Sequence, residues 1–265
     1  MVAGSRVLRD ERIYDSRGLT ERLAKARLDY ELQTAAEVQR ALLSRTSHRT
    51  PFCEFVGASS PCRAIGGDLF EFMELPSGEV GIAMGDVAGK GPAAALLAAT
   101  LQGMLTADAP AEGSPAAVVG RLNQRLIARQ LETRFATFVY AVLAPDGRFV
   151  YVNAGHNPPA LVGRYGIRRL ATSGPILGAF GGARFEEATR LLRAGEMLVM
   201  FTDGVTEARN AADEEFGERR LLALLEAGAS SAPTVILDGL LTAVNEFCRG
   251  AEQNDDITVS ITRFL

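Results

Sequence analysis

The chain has 265 residues, 47% hydrophobic and 23% charged, which suits one large domain or two small ones and excludes a wholly disordered chain. Its 28 basic and 32 acidic residues are mixed along the sequence and give a net charge of −4, which argues against a dedicated nucleic-acid-binding protein. The longest apolar stretch, Ala93–Leu101, is much shorter than the roughly 20 residues of a membrane span, and the N-terminus lacks the apolar core of a signal peptide. The three cysteines have no C-x-x-C spacing, which indicates reduced thiols. We therefore expect a cytoplasmic protein.

The first 45 residues differ in pattern from the rest. Between Leu19 and Leu43 there is no Pro or Gly, charges alternate in sign, and apolar residues recur at intervals of three, four and seven. This predicts a long helix with one apolar stripe, made of Leu28, Leu32, Ala35, Val38 and Leu42. Gln39 interrupts the stripe, so the helix either packs on its own domain or acts in dimerisation or signal transmission. We therefore assign residues 1–45 to a helical linker with a regulatory or dimerisation role, and residues 46–265 to the main domain.

Short strands and turns follow a break at Ser44–Pro51. Two hairpins are predicted, Phe70–Leu75 with Glu79–Met84, and Phe135–Leu143 with Arg148–Asn153. The predicted helices are Pro92 to about Leu105, one capped by Ser114, Arg219–Glu226 and Pro233–Cys248, and the later strands are Met197–Phe201 and Ile257–Thr262. Because hairpins alternate with helix pairs, the pattern favours an α+β sandwich of antiparallel sheets flanked by helices over a doubly wound parallel sheet.

Carboxylates stand at the ends of several predicted strands. Asp68 precedes a strand, Asp86 and Asp203 each follow one, and Asp255 and Asp256 immediately precede the last strand. Clustered carboxylates repel one another, and a divalent cation removes that cost. Oxygen ligands suit Mg²⁺ or Mn²⁺, and the shortage of His and Cys argues against Zn²⁺. The alternative is that these residues are ordinary turn formers and strand caps.

The glycine-rich segment Gly85–Gly91 (GDVAGKG) is similar to a phosphate-binding P-loop only superficially. Three residues, not four, separate Gly85 from Gly89, and Gly91 follows Lys90 where a P-loop has Ser or Thr. We expect the glycines to let the backbone turn sharply, so that Asp86 and a nearby carbonyl face the same ion.

Five motifs, taken in chain order, resemble one family: IGGDLFEF (65–72), GDVAGKGPAAAL (85–96), NAGHNPP (153–159), FTDGVTEA (201–208) and NDDITV (254–259). They are similar to the metal-dependent type-2C (PPM) protein phosphatases, specifically the bacterial SpoIIE/RsbU-type branch. The resemblance covers Pro51–Leu265, and AAEVQRALL (35–43) resembles the linker helix of such phosphatases. It implies an αββα sandwich of two antiparallel sheets flanked by helices, preceded by a long N-terminal linker helix, with the phosphatase domain over residues 46–265.

The resemblance also implies the reaction, which is hydrolysis of phosphoserine or phosphothreonine by a water activated by two Mn²⁺ or Mg²⁺ ions. Carried over by motif, Asp86 bridges both metals and the backbone carbonyl of Val87 binds one of them. Asp203 and Asp255 hold the other metal, so Asp86, Asp203 and Asp255 carry the catalysis. Asp68 acts on the second metal directly or through water.

Three other residues are less clearly placed. Lys90 stands where many relatives carry His, so it either contacts the phosphate or has no role. Asp256 occupies the position of an Asn in the wider family. His156, in a polar turn followed by two prolines, is expected to have a structural role.

By family analogy the substrate is a phosphorylated anti-sigma-factor antagonist in a partner-switching pathway, and helix 19–43 contacts a second copy or an activator. Two alternatives stay open. One is a catalytically silent docking module with the same fold, which the full carboxylate set disfavours. The other is a hydrolase of small phosphate esters, which a comparison of phosphopeptide with small-ester turnover would distinguish.

Overall fold

The computed structural model describes residues 4–43, 46–111, 113–130 and 135–265, and for residues 4–17 and 43 it describes the backbone alone. The chain divides into two compact units, residues 1–42 and residues 43–265. None of the helices within the described residues is both long enough and apolar enough to cross a membrane.

The N-terminal unit is one helix, α1 (Gly4–Leu43), which contains the helix predicted over 19–43 and extends it towards the N-terminus. Arg27 and Glu31 form an i,i+4 ion pair of 3.0 Å on its surface. Three residues of the predicted stripe, Leu28, Val38 and Leu42, are each more than half exposed to solvent. The regulatory role of this helix stays a prediction.

The second unit contains eleven strands and five helices among its described residues. The strands are β1 (Thr46–Arg49), β2 (Cys53–Ser60), β3 (Asp68–Glu74), β4 (Val80–Val87), β5 (Ala136–Leu143), β6 (Arg148–Ala154), β7 (Ala160–Gly163), β8 (Gly166–Arg169), β9 (Ala188–Leu191), β10 (Met197–Phe201) and β11 (Ile257–Phe264). The helices are α2 (Pro92–Asp108), α3 (Pro115–Ala128), α4 (Asp203–Thr206), α5 (Gly217–Ala227) and α6 (Pro233–Phe247). Both predicted hairpins are confirmed as β3–β4 and β5–β6.

These elements form four layers. One sheet has the order β3-β4-β5-β6-β9 and the other the order β1-β2-β11-β10-β7-β8, with every named pair antiparallel. Helices α2 and α3 bury their apolar faces on the first sheet, and α5 and α6 on the second. A third core, with Phe55, Met84, Tyr151 and Met200, fills the space between the sheets. The predicted αββα sandwich is therefore confirmed.

Burial on both faces explains the character of the central strands. All five residues of β10 (MLVMF) are buried, because one face meets the helices and the other meets the opposite sheet. Such strands are continuous apolar runs rather than alternating ones, which made them recognisable in the sequence.

One part of the sequence prediction was wrong. The break predicted at 44–51 contains β1 (TSHR), which pairs with β2 at the edge of the second sheet, while residues 44 and 45 lie outside the described residues. Three of the four residues in β1 are exposed. An edge strand that faces water lacks the alternation of apolar and polar residues by which a strand is recognised in a sequence.

The order of the strands places four chain segments at one end of the sandwich. Strand β3 begins where its antiparallel partner β4 ends, and β11 begins where β10 ends. A hydrogen bond of 2.8 Å from Thr202, directly after β10, to Asp68, the first residue of β3, links the two sheets at this end.

Candidate active site

Asp68 and Asp86 face each other across the β3–β4 ladder. They are register partners, so their β-carbons are about 5 Å apart. Asp68 is only 3% exposed, and its burial, followed by the charge of Asp86, raises the pKa of its carboxyl well above the usual range. Burial, followed by the charges of Asp203 and Asp255, raises the pKa of Asp86 to about 7. Such a pair is costly to ionise without a cation nearby.

The second sheet supplies Asp203 and Asp255. Asp203 is the first residue of α4, and Asp255 lies in the turn before β11. A β-carbon at Gly204 would lie 2.0 Å from the carbonyl oxygen of Asp256 and 3.3 Å from Cβ of Asp255, so only glycine lets these two segments approach so closely. Burial and then the charge of Asp255 raise the pKa of Asp203.

Thr202 joins the two sheets and was missed in the sequence. Its hydroxyl, fully buried, donates to Oδ2 of Asp68 at 2.8 Å and accepts a hydrogen bond from the backbone N–H of Thr258 at 3.1 Å. It therefore holds the carboxylate of the first sheet against the backbone of the second. The only signal in the sequence is its place before Asp203 in FTDG.

Asp256 has a different task from its neighbour. Its Oδ1 accepts a hydrogen bond from the backbone N–H of Cys62 at 2.8 Å, and its Oδ2 accepts one from that of Gly67 at 2.7 Å. A β-carbon at Gly66 would lie 2.2 Å from the same Oδ2. Asp256 thus clamps the loop that leads into Asp68, with both of its oxygens engaged.

The cysteine next to this clamp completes one group of possible ligand atoms within the described residues. A sulfur of Cys62 and carboxylate oxygens of Asp255 and Asp256 lie within 4.8 Å of one another. Burial, followed by the charge of Asp256, raises the pKa of the Cys62 thiol to about 11. Sulfur is a soft ligand, whereas Mg²⁺ and Mn²⁺ prefer oxygen. We therefore give more weight to the carboxylates that line the junction of the sheets.

The glycine-rich loop makes the predicted sharp turn. Gly89 and Gly91 have φ angles of +98° and +77°, in the region that favours glycine. Gly67 packs on the start of this loop, where a β-carbon would lie 2.8 Å from the carbonyl oxygen of Val87. A side chain at position 67 would therefore clash with this carbonyl.

Two cationic side chains approach the same loop. Nζ of Lys90 lies 2.9 Å from Oδ2 of Asp255 and also donates to the carbonyl of Asn254. A guanidinium nitrogen of Arg63 lies 3.8 Å from the position of a β-carbon at Gly91. The proximity of Arg63 to the loop was not foreseen, and its only signal is a position five residues before Asp68.

His156 lies beneath the site and is fully buried. Its Nδ1 is 2.7 Å from the hydroxyl of Thr137, and its backbone N–H and C=O are both hydrogen-bonded by the side chain of Asn153. Burial lowers the pKa of His156 to about 4, so the imidazole is neutral at physiological pH. These contacts agree with the structural role expected from its turn.

Beside Asp255 the surface opens into a cavity of about 470 Å³. Its lining includes Lys90, Glu207, Arg209 and Arg249, so charges of both signs border the carboxylate cluster. A cavity of this size can receive a phosphorylated side chain and part of the polypeptide around it.

The fold is that of a type-2C phosphatase domain. Residues 76–265 match the family described as Stage II sporulation protein E (SpoIIE), and the chain belongs to that family. This establishes the family predicted from the five motifs.

Two bacterial proteins are similar to this chain in sequence. The chain is 30% identical to the phosphoserine phosphatase RsbU of Bacillus subtilis over 88% of its length, covering 70% of RsbU. It is 29% identical to protein IcfG of Synechocystis over 86% of its length, and spans 40% of IcfG.

Solved structures share the fold at lower identity. The SiaA-PP2C domain of Pseudomonas aeruginosa superposes with a TM-score of 0.79 at 18% identity, over 91% of this chain and 99% of that domain. RsbX, solved in complex with magnesium, superposes with a TM-score of 0.63 at 16% identity, over 83% of this chain and all of RsbX.

Proposed function

We propose that this chain hydrolyses phosphoserine or phosphothreonine in a protein substrate, with two Mn²⁺ or Mg²⁺ ions as cofactors. The observation that carries the proposal is the meeting of carboxylates from four strand ends at the junction of the sheets: Asp68, Asp86, Asp203 and Asp255. The oxygen-only donor set and the raised carboxyl pKa values fit hard divalent cations.

Each carboxylate has a distinct role in the proposal. Asp86 would help to hold both ions, and the carbonyl of Val87 would hold one of them. Asp203 and Asp255 would hold the other, and Asp68 would act on the second ion directly or through a water. When bound, the ions lower the pKa of the attacking water and neutralise charge on the phosphoryl oxygens.

The remaining work falls to the protein around these ligands. Phosphate-monoester hydrolysis needs on the order of 20 kcal/mol of barrier reduction, so the ligands must be held rigidly in place. Thr202 and the Asp256 clamp fix the two loops that carry Asp68 and Asp255. Lys90, within the glycine-rich loop, and Arg63, beside it, contact the phosphate of the substrate.

The substrate we propose is a phosphorylated anti-sigma-factor antagonist in a cytoplasmic partner-switching pathway. Its support is the membership of the SpoIIE family and the similarity to RsbU. The cavity beside Asp255 offers a place for the polypeptide on one side of the phosphorylated residue. We expect the phosphorylated antagonist to be turned over faster than a generic phosphopeptide.

The test compares hydrolysis of a phosphoserine peptide and a small phosphate ester with Mn²⁺ and with EDTA. Asp86→Asn is the test variant, and Asp146→Asn, in the exposed β5–β6 turn, is the matched control. We expect turnover that EDTA and Asp86→Asn both abolish and that the control keeps. A folded protein that neither binds Mn²⁺ nor turns over either substrate would contradict the proposal and favour the docking module. Preference for the small ester would favour the small-ester hydrolase.

We also propose that α1 brings together two copies of the chain or contacts an activator through its stripe. The support is the exposure of Leu28, Val38 and Leu42, each 56–60%. Replacing Leu28 and Leu32 together by Lys is expected to change the sedimentation coefficient or the turnover rate. Ala26→Lys together with Gln33→Lys adds the same two charges at exposed positions off the stripe and serves as the control. Unchanged sedimentation and turnover in the double variant would refute this role.

A further inference from the structure

The ammonium of Lys90 is bound to the loop that carries a proposed metal ligand. Nζ lies 2.9 Å from Oδ2 of Asp255 and donates a second hydrogen bond to the carbonyl of Asn254. The side chain of Lys90 is 34% exposed and that of Asp255 42% exposed. An ion pair this open to water is weak enough for a stronger cation to displace.

Both oxygens of Asp255 already have partners. Oδ1 accepts a hydrogen bond from the backbone N–H of Asp256 at 2.9 Å, and Oδ2 accepts from Lys90. The backbone contact belongs to the turn before β11, so the oxygen that can change partner is Oδ2. A divalent cation on Oδ2 would face the ammonium across a single oxygen, and the two positive charges would repel each other.

The residue type at position 90 is unusual for this chain. Of its 28 basic residues only Lys25 and Lys90 are lysines, and all the others are arginines. General usage would therefore place Arg at position 90. A guanidinium could hold Asp255 with two parallel hydrogen bonds, whereas an ammonium on a flexible stem binds as a point charge and leaves more easily.

The backbone around Lys90 gives the side chain room to move. Gly89 and Gly91 flank it with positive φ angles, and α2 begins only at Pro92. Position 90 therefore lies in a turn and not within a helix or strand. Its side chain lines the 470 Å³ cavity together with Asn254 and Asp255, so the ammonium can leave the carboxylate and stay within the cavity.

We infer that Lys90 and a divalent cation compete for the Asp255 carboxylate, so that cation binding releases the ammonium from Asp255 to another position in the cavity, where it can meet the phosphate. The inference rests on the proposed function, because it takes Asp255 to be a metal ligand. The consequence is a threshold in the cation concentration at which the site fills. Lys90 weakens cation binding and becomes available to substrate when the cation has taken its place.

The small number of lysines makes the movement directly observable. The 265-residue chain labelled with ¹³C at the lysine ε-carbon gives two lysine signals, and Lys90→Arg assigns them by removing one. On titration with Mg²⁺ we expect the Lys90 signal to shift saturably while that of Lys25, on α1, stays in place. If calorimetry shows Mg²⁺ binding and the Lys90 signal does not move, the inference is overturned.

Cation affinity tests the competition independently. In Lys90→Gln we expect calorimetry to show Mg²⁺ binding about threefold tighter, in keeping with the modest strength of a half-exposed ion pair. In Lys90→Arg the guanidinium holds Asp255 with two hydrogen bonds, so we expect Mg²⁺ to bind more weakly than in the wild type. Lys25→Gln is the control and leaves affinity unchanged.

The outcomes separate this inference from the proposed function. If wild-type protein and Lys90→Gln both fail to bind Mg²⁺ or Mn²⁺, the proposed metal centre is wrong and the competition falls with it. If metal-dependent turnover is present but Lys90→Gln binds Mg²⁺ no more tightly than wild type, the phosphatase stands and the competition alone is refuted.

Discussion

The most informative perturbation of the site is Asp86→Asn in a protein stripped of divalent ions. Asp86 has its pKa raised from 3.8 to about 7, first by burial and then by the charges of Asp203 and Asp255. The native state therefore binds this proton more tightly than the unfolded chain does. By linkage, the contribution of Asp86 to the free energy of unfolding falls as pH rises from 3.8 to about 7, the interval between its pKa values in the unfolded and folded states. Above about pH 7 this contribution is lost completely.

The magnitude follows from the shift. Its three or so pH units correspond to about 4 kcal/mol at neutral pH, at roughly 1.4 kcal/mol per unit. Asparagine keeps the shape of the side chain and cannot ionise, so the variant escapes this loss. Because the charge of Asp86 also raises the pKa of Asp68, its removal further favours the variant at neutral pH.

Wild-type stability alone would hide the effect. Burial lowers the pKa of His156 from 6.5 to about 4, so the folded state binds that proton less tightly than the unfolded chain. This contribution raises the free energy of unfolding as pH increases across the same range and opposes that of Asp86. The difference between Asp86→Asn and wild type cancels it, since both proteins contain His156.

The assay is urea denaturation in EDTA at a series of pH values from about 4 to about 7, with Asp146→Asn as the control. Asp146 is an exposed turn residue whose Oδ1 accepts from the backbone of Arg148, a contact that asparagine keeps. We expect the advantage of Asp86→Asn over wild type to grow steadily with pH and to shrink when Mg²⁺ is added. An advantage that does not change with pH would refute the electrostatic reasoning.

Two further substitutions test how the loops are held. Thr202→Val removes a donor to buried Asp68 and an acceptor for Thr258, so we expect a loss of about 2–4 kcal/mol in urea denaturation. Thr202→Ser keeps the hydroxyl and should lose about 1 kcal/mol, and equal losses in both would show that the hydroxyl does not matter. Gly204→Ala places a methyl group 2.0 Å from a backbone oxygen, so we expect lower stability and lost Mn²⁺ binding by calorimetry. Gly239→Ala, on the open face of α6, is expected instead to gain about 0.5–1 kcal/mol, and a Gly204 variant that binds Mn²⁺ normally would contradict the packing argument.

Local chemistry made part of this site predictable. The turn at Pro76-Ser77-Gly78 and the apolar runs beside it predict the β3–β4 hairpin, and a hairpin of that length fixes the register that places Asp68 opposite Asp86. The positive φ angles of Gly89 and Gly91 were likewise expected from the glycine-rich sequence. Both features depend on neighbours within about twenty residues of chain.

Other features depend on contacts that no local pattern encodes. Thr202 reaches Asp68 across 134 positions of sequence, and its hydroxyl is one of many in the chain. Asp255 and Asp256 are adjacent and chemically identical, yet one turns towards Lys90 and the other clamps the backbone of Cys62 and Gly67. Which of two neighbouring carboxylates faces the site is decided by the partner loop, so it becomes visible only in the folded structure.

The position of the carboxylates at strand ends explains how the sandwich accommodates this site. Each sheet contributes carboxylates at strand ends, where the ladder stops and the apolar layer between the sheets gives way to polar contacts. Repulsion among these carboxylates opposes the packing of the sheets that the three apolar layers favour. Thr202 and Lys90, which each bind one of the carboxylates, offset only part of this repulsion. A divalent cation bound by carboxylates of both sheets would offset the rest and tie the sheets together. Cation binding and the stability of this end of the fold should therefore rise and fall together, and replacing any one of the four carboxylates by its amide should weaken that coupling.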